Sequence, residues 1–547
     1  VQANRASEAP WFTHPAAVAL WGFLLVLVMT WPASSRHLSI DDVAHFREYP
    51  RLNEGVPLAK LLTIGHWQEY GGEELTWRPL VKVLWRALRV TEEPHTRHLW
   101  FVTGLFAALS AGALAMLLRT RGLPPESSLL ALLVFAHPLT ADVLLPFVGQ
   151  SDTIAFGTLL GGAVCLCRGG VAANALGVVL IAISFFTKES GFPALAALPA
   201  ALWLGPGRAK LRIRKAMIAA IIVASLIAAR LVTHHMIFGD NTFMTGEGTL
   251  RMHEGERYPG FAETIGRYAM GIVTLQISGV DNCYIKAPGS SAGFYPIVGA
   301  AAFLGAIGVI AWAMRPIKAT RANATTLRLK RLIAAGVLWT GLLLSIYLHL
   351  IPIGAIWQGR FMLLPFAGLA VALAAGLAML RGEARQYAMM CVVIIGAFGA
   401  MKTFNHAKVW ATPLTLWADQ VARFPQSDFD KRCYALELYR AGKATQAFDP
   451  AKQAAAARPW DGDAWRTLGI IASKLGQHEE AVRAYTNAIP LVPYLPAMHA
   501  KCAEHLIALG RYDEARLHLD FVKGNTPDYK LLDQLYAALD AAEGASK

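Results

Sequence analysis

The chain has 547 residues, 55% of them hydrophobic and only 16% Asp, Glu, Lys or Arg, against roughly 25% charged residues in soluble globular domains. With a mean hydropathy of +0.38, that excludes a disordered or purely soluble chain and points to a polytopic α-helical membrane protein with a soluble tail. The formal charge of +13 is therefore read first as topology, and a nucleic-acid partner is not expected. Six cysteines without CxxC or other ligand spacing give neither a disulfide framework nor a zinc site. Cys165 and Cys167 fall in an apolar stretch and read as small core residues.

Apolar windows predict about eleven spans, at 15–33, 99–118, 126–146, 152–167, 171–187, 190–204, 216–233, 294–314, 332–351, 361–380 and 386–404. The first lacks a strong basic flank and a small-residue cleavage site and reads as an uncleaved anchor. Segment 261–279 is interrupted by Glu263 and Arg267 and reads as a helix lying along the surface.

The basic clusters orient these spans. Arg119 and Arg121 follow the second; Arg208, Lys210, Arg212, Arg214 and Lys215 precede the seventh; Arg315, Lys318, Arg321, Arg328, Lys330 and Arg331 separate the eighth and ninth; Arg381 and Arg385 precede the last. With the N-terminus inside, all four fall on the cytoplasmic face. The first loop 34–98, the loop 234–293 and everything after residue 405 are then extracytoplasmic.

Chemistry-bearing residues concentrate on that outer level. Past the first span comes Ile40-Asp41-Asp42-Val43-Ala44-His45, with two adjacent acids near the membrane surface, where charge without a partner is costly. Thr76-Trp77-Arg78-Pro79-Leu80 leads into a basic amphipathic stretch from Lys82 to Arg89. The third span carries His137-Pro138-Leu139-Thr140-Ala141-Asp142 and is followed by Gly149-Gln150-Ser151-Asp152. The fifth ends in Thr187-Lys188-Glu189-Ser190-Gly191-Phe192, and the tenth opens at Trp357-Gln358-Gly359-Arg360.

Such a set suits a lipid-linked phosphosugar, whose tail lies in the bilayer and whose phosphate and sugar stand at the surface. Arg78, Lys188 and Arg360 supply cations for the departing phosphate. Asp41 or Asp42 supplies a general base for the incoming hydroxyl, on the face opposite the leaving group as in inverting sugar transfer. No cofactor is required. A divalent cation held by Asp41, Asp42 and His45 is the alternative. His137 by itself also reads as a hydrogen-bonded core residue.

The tail repeats. Pro425, Pro459, Pro493 and Pro527 recur every 34 residues, as do Gly442, Gly476 and Gly510, and Ala447, Ala481 and Ala515. That period is the tetratricopeptide signature. Trp465, Leu468, Gly469, Ala481, Tyr485, Ala488 and Pro493 make the middle copy the fullest, and 528–543 reads as a capping helix. Such an array binds peptides or partner proteins, or else only stabilises the membrane part. The expected organisation is all-α: a membrane domain 1–404, a connector 405–424 and a repeat domain 425–547.

The order of these landmarks resembles the transmembrane and tetratricopeptide-repeat O-mannosyltransferases, of the GT-C class of membrane glycosyltransferases. It runs from Asp41-Asp42 through Trp77-Arg78-Pro79-Leu80, His137-Pro138 with Asp142, Gly149-x-x-Asp152, Lys188-Glu189-x-Gly191 and Arg360 before a Leu-x-Pro, to Asn405-His406-Ala407-Lys408-Val409-Trp410 ahead of the repeats. The resemblance implies a polyprenyl-phosphate monosaccharide donor, typically dolichyl-phosphate mannose, transfer to Ser or Thr hydroxyls of proteins, and a base at Asp41 or Asp42. His137, Asp142, Asp152 and Glu189 are then expected about the donor phosphate and sugar. The chain departs from the family where Trp77 replaces Tyr, Gln150 replaces Arg, and Ala141-Asp142 replaces Thr-Glu, so the sugar is left open. The expected setting is a bacterial inner membrane with a periplasmic tail, or the endoplasmic reticulum in an animal cell. Two other readings share the fold: a catalytically silent scaffold that assembles a complex through the repeats, and a transferase acting on a glycan or lipid acceptor.

Overall fold

The computed structural model describes residues 10–34, 57–63, 78–88, 97–188, 192, 194–204, 208–238, 260–277, 293–315, 323–348, 358–492 and 496–546; these are helical, with turns and no strand among them. Two compact units divide between Ala411 and Thr412. The helix Gly382–Ala407 runs past residue 405, the first of the expected connector. The connector's second half instead forms the helix Pro413–Arg423, opened by a capping box between Thr412 and Thr415 and belonging to the second unit.

In the first unit six helices are long and apolar enough to cross a membrane: Pro15–Ala33, Arg97–Thr120, Ala209–Ile237, Phe294–Met314, Gly359–Met379 and Gly382–Ala411. Pro125–Ala136 and Pro138–Leu144, bent by 57°, make a seventh if they form one broken span. The break has a plain cause. Pro138 lacks an N–H, and the residue before it, His137, is pushed to extended backbone at φ −74°, ψ 128°.

The other stretches expected to span are helical but fall short of that standard. Val171–Thr187 has 17 residues and Ala194–Leu204 has 11, the latter only about 16 Å of helix against a hydrocarbon core of about 30 Å. Gln150–Arg168 begins with Gln150, Ser151 and Asp152, and Ala324–Leu344 carries Arg328, Lys330 and Arg331. Six to seven helices among the described residues thus meet that standard, against the eleven spans expected.

Helix ends sort into two poles. At one, Arg121 reaches Cys167, the Lys215 ammonium donates to the Cys167 carbonyl, Arg385 pairs with Glu126 at 2.6 Å, and Lys330 lies 4.4 Å from the Trp312 ring. Members of all four basic clusters, or their immediate neighbours, meet there. Cys167 is therefore the contact of two cations, beyond the core-filling role expected of it.

Two crossings are glycine to glycine. A Cβ at Gly266 would stand 1.9 Å from the Tyr295 carbonyl oxygen, and one at Gly299 1.7 Å from that of Ala262. Gly336 and Gly368 meet alike, each Cβ position 2.4 Å from the other's carbonyl. By contrast Phe294–Met314 has only 11% of its apolar window buried and turns Ile297 and Leu304 outward, as a lipid-facing helix does.

The second unit pairs Asp428–Arg440 with Ala444–Ala457, Gly462–Lys474 with His478–Ala488, and Pro496–Ala508 with Tyr512–Asn525, and ends in Leu532–Ser546. Gly442, Gly476 and Gly510 take φ of +76°, +67° and +71° at the turns, the left-handed conformation that favours glycine. Ala447, Ala481 and Ala515 are fully buried where paired helices cross.

Gly299→Leu is expected to cost about 3 kcal/mol or more by overpacking a backbone contact, read as a lower unfolding midpoint in detergent. Gly305→Leu, on the same helix with open space around it, should shift stability by no more than about 0.5 kcal/mol. Equal effects at both sites would refute the crossing.

Candidate functional site

The second pole collects most of the polar residues singled out in the sequence. Gln150–Arg168 starts there, and its first-turn Asp152 is favoured by the helix dipole. Lys188 follows the last residue of Val171–Thr187 in extended backbone at φ −155°, ψ 143°. Its ammonium lies 2.5 Å from Asp152 Oδ2, both side chains only 8% exposed. Opposite charges placed so close offset part of the cost of taking each out of water.

A second joint forms around the broken helix. Asp142 Oδ2 accepts the Gly359 N–H at 3.3 Å, across 217 residues of sequence. Arg360 comes next and is half-buried, its guanidinium 5.8 Å from the Phe361 ring centre. His137 Nδ1 accepts the Leu139 N–H at 3.2 Å, which places its hydrogen on Nε2, where it donates to the Ile272 carbonyl at 3.1 Å. Both ring nitrogens are thus committed. His137 acts in this arrangement as a strut between the bend and the helix Phe261–Val273.

That helix, expected to lie along the surface, is not among the candidate spans and buries one face. Glu263 and Tyr268 are 2% and 1% exposed, and the Tyr268 hydroxyl donates to the Gln358 carbonyl at 3.3 Å. Its far end receives Lys402, whose ammonium stands 3.5 Å from the Thr274 carbonyl. Gly266 lets it press against Phe294–Met314. Phe261–Val273 therefore packs over the pole that holds Asp142 and Gly359.

Arg78 precedes Pro79–Ala87 and is half-buried. The amphipathic pattern from Lys82 to Arg89 reappears as a short helix whose Val81 and Trp85 bury against Leu99, Trp100, Phe147 and Val148. Arg78 is thereby brought to the same end as the 3-10 turn Phe147–Gly149 that leads into Gln150. Asp41, Asp42, Glu189 and His45 lie outside the described residues. Among the described residues no three His, Cys, Asp or Glu side chains gather as metal ligands.

Several residues at this pole escaped the sequence reading. Gln150, noted only as a missing arginine, is fully buried; its amide donates to the Leu99 carbonyl and Thr103 Oγ1, both at 3.1 Å, and its Oε1 has no partner. Arg230 is 2% exposed on the span Ala209–Ile237, its guanidinium 5.2 Å from the Phe192 ring; His234, expected in the polar loop 234–293, instead continues that helix and is 5% exposed. An arginine inside an apolar window was a usable signal, because such a residue is costly unless it has work there. A separate apolar cavity is lined, among others, by Leu117, Arg121, Leu198, Leu332, Trp339 and Gly368.

No protein-family model matches the sequence, and no curated protein matches it at a significant level.

Replacing Lys188 by Met is expected to destabilise the protein by about 3–5 kcal/mol, since it strands the Asp152 carboxylate in a buried place. Lys188→Met together with Asp152→Leu should recover most of that loss in the same thermal-unfolding assay. A double variant no more stable than the single one would show that the pair does not act as a unit.

Proposed function

We propose that this protein is an inverting GT-C-type glycosyltransferase that moves a monosaccharide, mannose or a similar sugar, from a polyprenyl phosphate to Ser or Thr hydroxyls of a protein. The observation that supports it most is that two buried polar contacts, Lys188 on Asp152 and the Gly359 N–H on Asp142 beside Arg360, form at helix ends opposite the basic clusters. By the positive-inside rule the basic pole faces the cytoplasm, which puts the polar pole at the extracytoplasmic surface. Eleven crossings, counting the short and broken helices, keep that orientation and place the tail outside, in a periplasm or an endoplasmic-reticulum lumen.

In the proposed step the acceptor oxygen attacks the anomeric carbon and the bond from that carbon to the phosphate oxygen breaks. The acceptor proton passes to Asp41 or Asp42, and the polyprenyl phosphate leaves as an anion. Ionised phosphate needs no general acid, so the cations do the remaining work. Arg360 and Lys188 are the phosphate partners, Arg78 a third, while Asp142, Asp152, Glu189 and His137 hold these cations and the backbone in place around the sugar. The 34-residue helix pairs read as tetratricopeptide units that bind the acceptor or a partner protein.

Transfer from a radiolabelled polyprenyl-phosphate sugar by purified protein is expected to fall about 10²–10⁴-fold in Asp41→Asn or in Asp42→Asn, whichever is the base. Arg360→Ala should weaken donor binding by about tenfold or more. Folded variants that keep full turnover at both aspartates would end the base assignment. Deleting 425–547 should abolish protein glycosylation while donor hydrolysis persists; unchanged glycosylation would remove the repeats from acceptor recognition. Absence of any transfer by the intact protein, with repeat-dependent capture of a partner, would favour the scaffold.

A further inference from the structure

The helix Pro496–Ala508 carries two histidines that each meet a second histidine on a neighbouring helix. His505 faces His478 of His478–Ala488 with the Nδ1 atoms 2.9 Å apart, and His499 faces His518 of Tyr512–Asn525 with the Nδ1 atoms 3.0 Å apart. In both pairs the ring centres are 5.1 Å apart, so the rings stand almost nose to nose along the line of their nitrogens. A metal ion about 2.0–2.1 Å from each nitrogen does not fit on that line, whereas a single N–H···N hydrogen bond does.

The proton positions in the first pair follow from its surroundings. Ser473 Oγ lies 2.7 Å from the Gly469 carbonyl, which can only accept, and 3.1 Å from the Tyr485 hydroxyl; with its hydrogen on that carbonyl, His505 Nε2, 2.6 Å away, is the donor to it. His505 Nδ1 is then a bare lone pair and His478 Nδ1 carries the hydrogen. The second pair is stacked on Phe521, whose ring centre lies 4.4 Å from that of His499.

We propose that these two imidazole pairs make Pro496–Ala508 a proton-sensitive clasp: each pair binds neighbouring helices while it shares one hydrogen, and opens when acid places a hydrogen on both facing nitrogens. The charged surroundings do not cancel this. Glu504 and Lys501, on the same helix as His505, oppose each other in effect and are joined at 2.6 Å. Glu514 favours a charged His518 but is held by Arg511 at 2.6 Å, and Arg516 ties up Asp540 and Glu543 of the last helix. Tyr485 and Ser473, which border His505, are neutral.

Burial holds His505 and His518 below the ordinary imidazole range and His499 at about 4, from an ordinary 6.5. Depressed values in the fold mean that the unfolded chain takes up more protons as acidity rises. The clasp is therefore complete above pH 6.5 and weakens as pH falls below that, the His499 contact being lost toward about 4.

Hydrogen exchange of the full-length protein in detergent, with labelling times matched for intrinsic rate, tests this. Between about pH 7.5 and about pH 5, protection of 496–508 is expected to fall about tenfold or more relative to Asp428–Arg440. The double substitution His478→Asn and His518→Asn keeps a neutral hydrogen-bonding partner for each remaining histidine, and should reduce the acid effect to about twofold or less. Constant protection in the wild-type protein across that range would overturn the proposal, with no variant needed. So would equal acid loosening in a folded double variant, or a rise in protection when zinc chloride alone is added at neutral pH.

Discussion

Polar groups carried into an apolar helix bundle must find their partners inside the protein, because lipid offers none. The Lys188–Asp152 contact is the strongest case: a basic and an acidic side chain, each almost dry, brought from different helices to within 2.5 Å. The same constraint explains the Asp142 carboxylate on the Gly359 N–H, the Trp100 indole on Thr30 Oγ1 at 2.8 Å, and the Gln150 amide on Leu99 and Thr103. Each links the end of one helix to the end of another. The polar pole is thus held together by the interactions that also give it chemistry.

The break at His137–Pro138 is what lets that pole exist. A straight helix from 125 to 144 would satisfy its own backbone and carry Asp142 along its side. The bend frees a turn of backbone, His137 stitches it to Leu139 and Ile272, and Asp142 is left to reach Gly359. Gly149 tightens the next turn: a Cβ there would stand 2.1 Å from the Val143 carbonyl oxygen. Two successive deviations from helix, one forced by proline and one permitted by glycine, therefore set the start of the helix that bears Asp152.

The second unit rests on a different balance. Its core is built from small residues at the crossings and a few large ones beside them, such as Trp465 and Tyr485 around Gly469, where a Cβ would meet the Tyr485 ring at 2.8 Å. Into this apolar packing the third helix pair admits two histidine contacts. Hydrophobic association is nearly indifferent to pH, whereas the imidazole pairs and the carboxylate ion pairs of this unit, such as Arg483–Glu480, are not.

Much of the architecture was legible in the chain. Period alone marked the helix pairs of the tail, since glycine at each turn and alanine at each crossing are required by local backbone and contact geometry. Apolar windows marked the helices of the first unit, although length and charge reduced the eleven expected crossings to six or seven that meet the standard of a span. The residues Asp142, Asp152, Lys188 and Arg360 stood out because charge in or near an apolar segment needs a reason. What they face was not written in any local pattern. That Asp142 meets a backbone N–H 217 residues away, that His137 spends both nitrogens on carbonyl and amide rather than on a ligand, that Arg230 lies against Phe192, and that four histidines pair across helices are outcomes of packing. Periodicity is a property of neighbours along the chain and survives without tertiary structure; the partner of a buried polar atom depends on which helices happen to end at the same place, and only the folded bundle decides that.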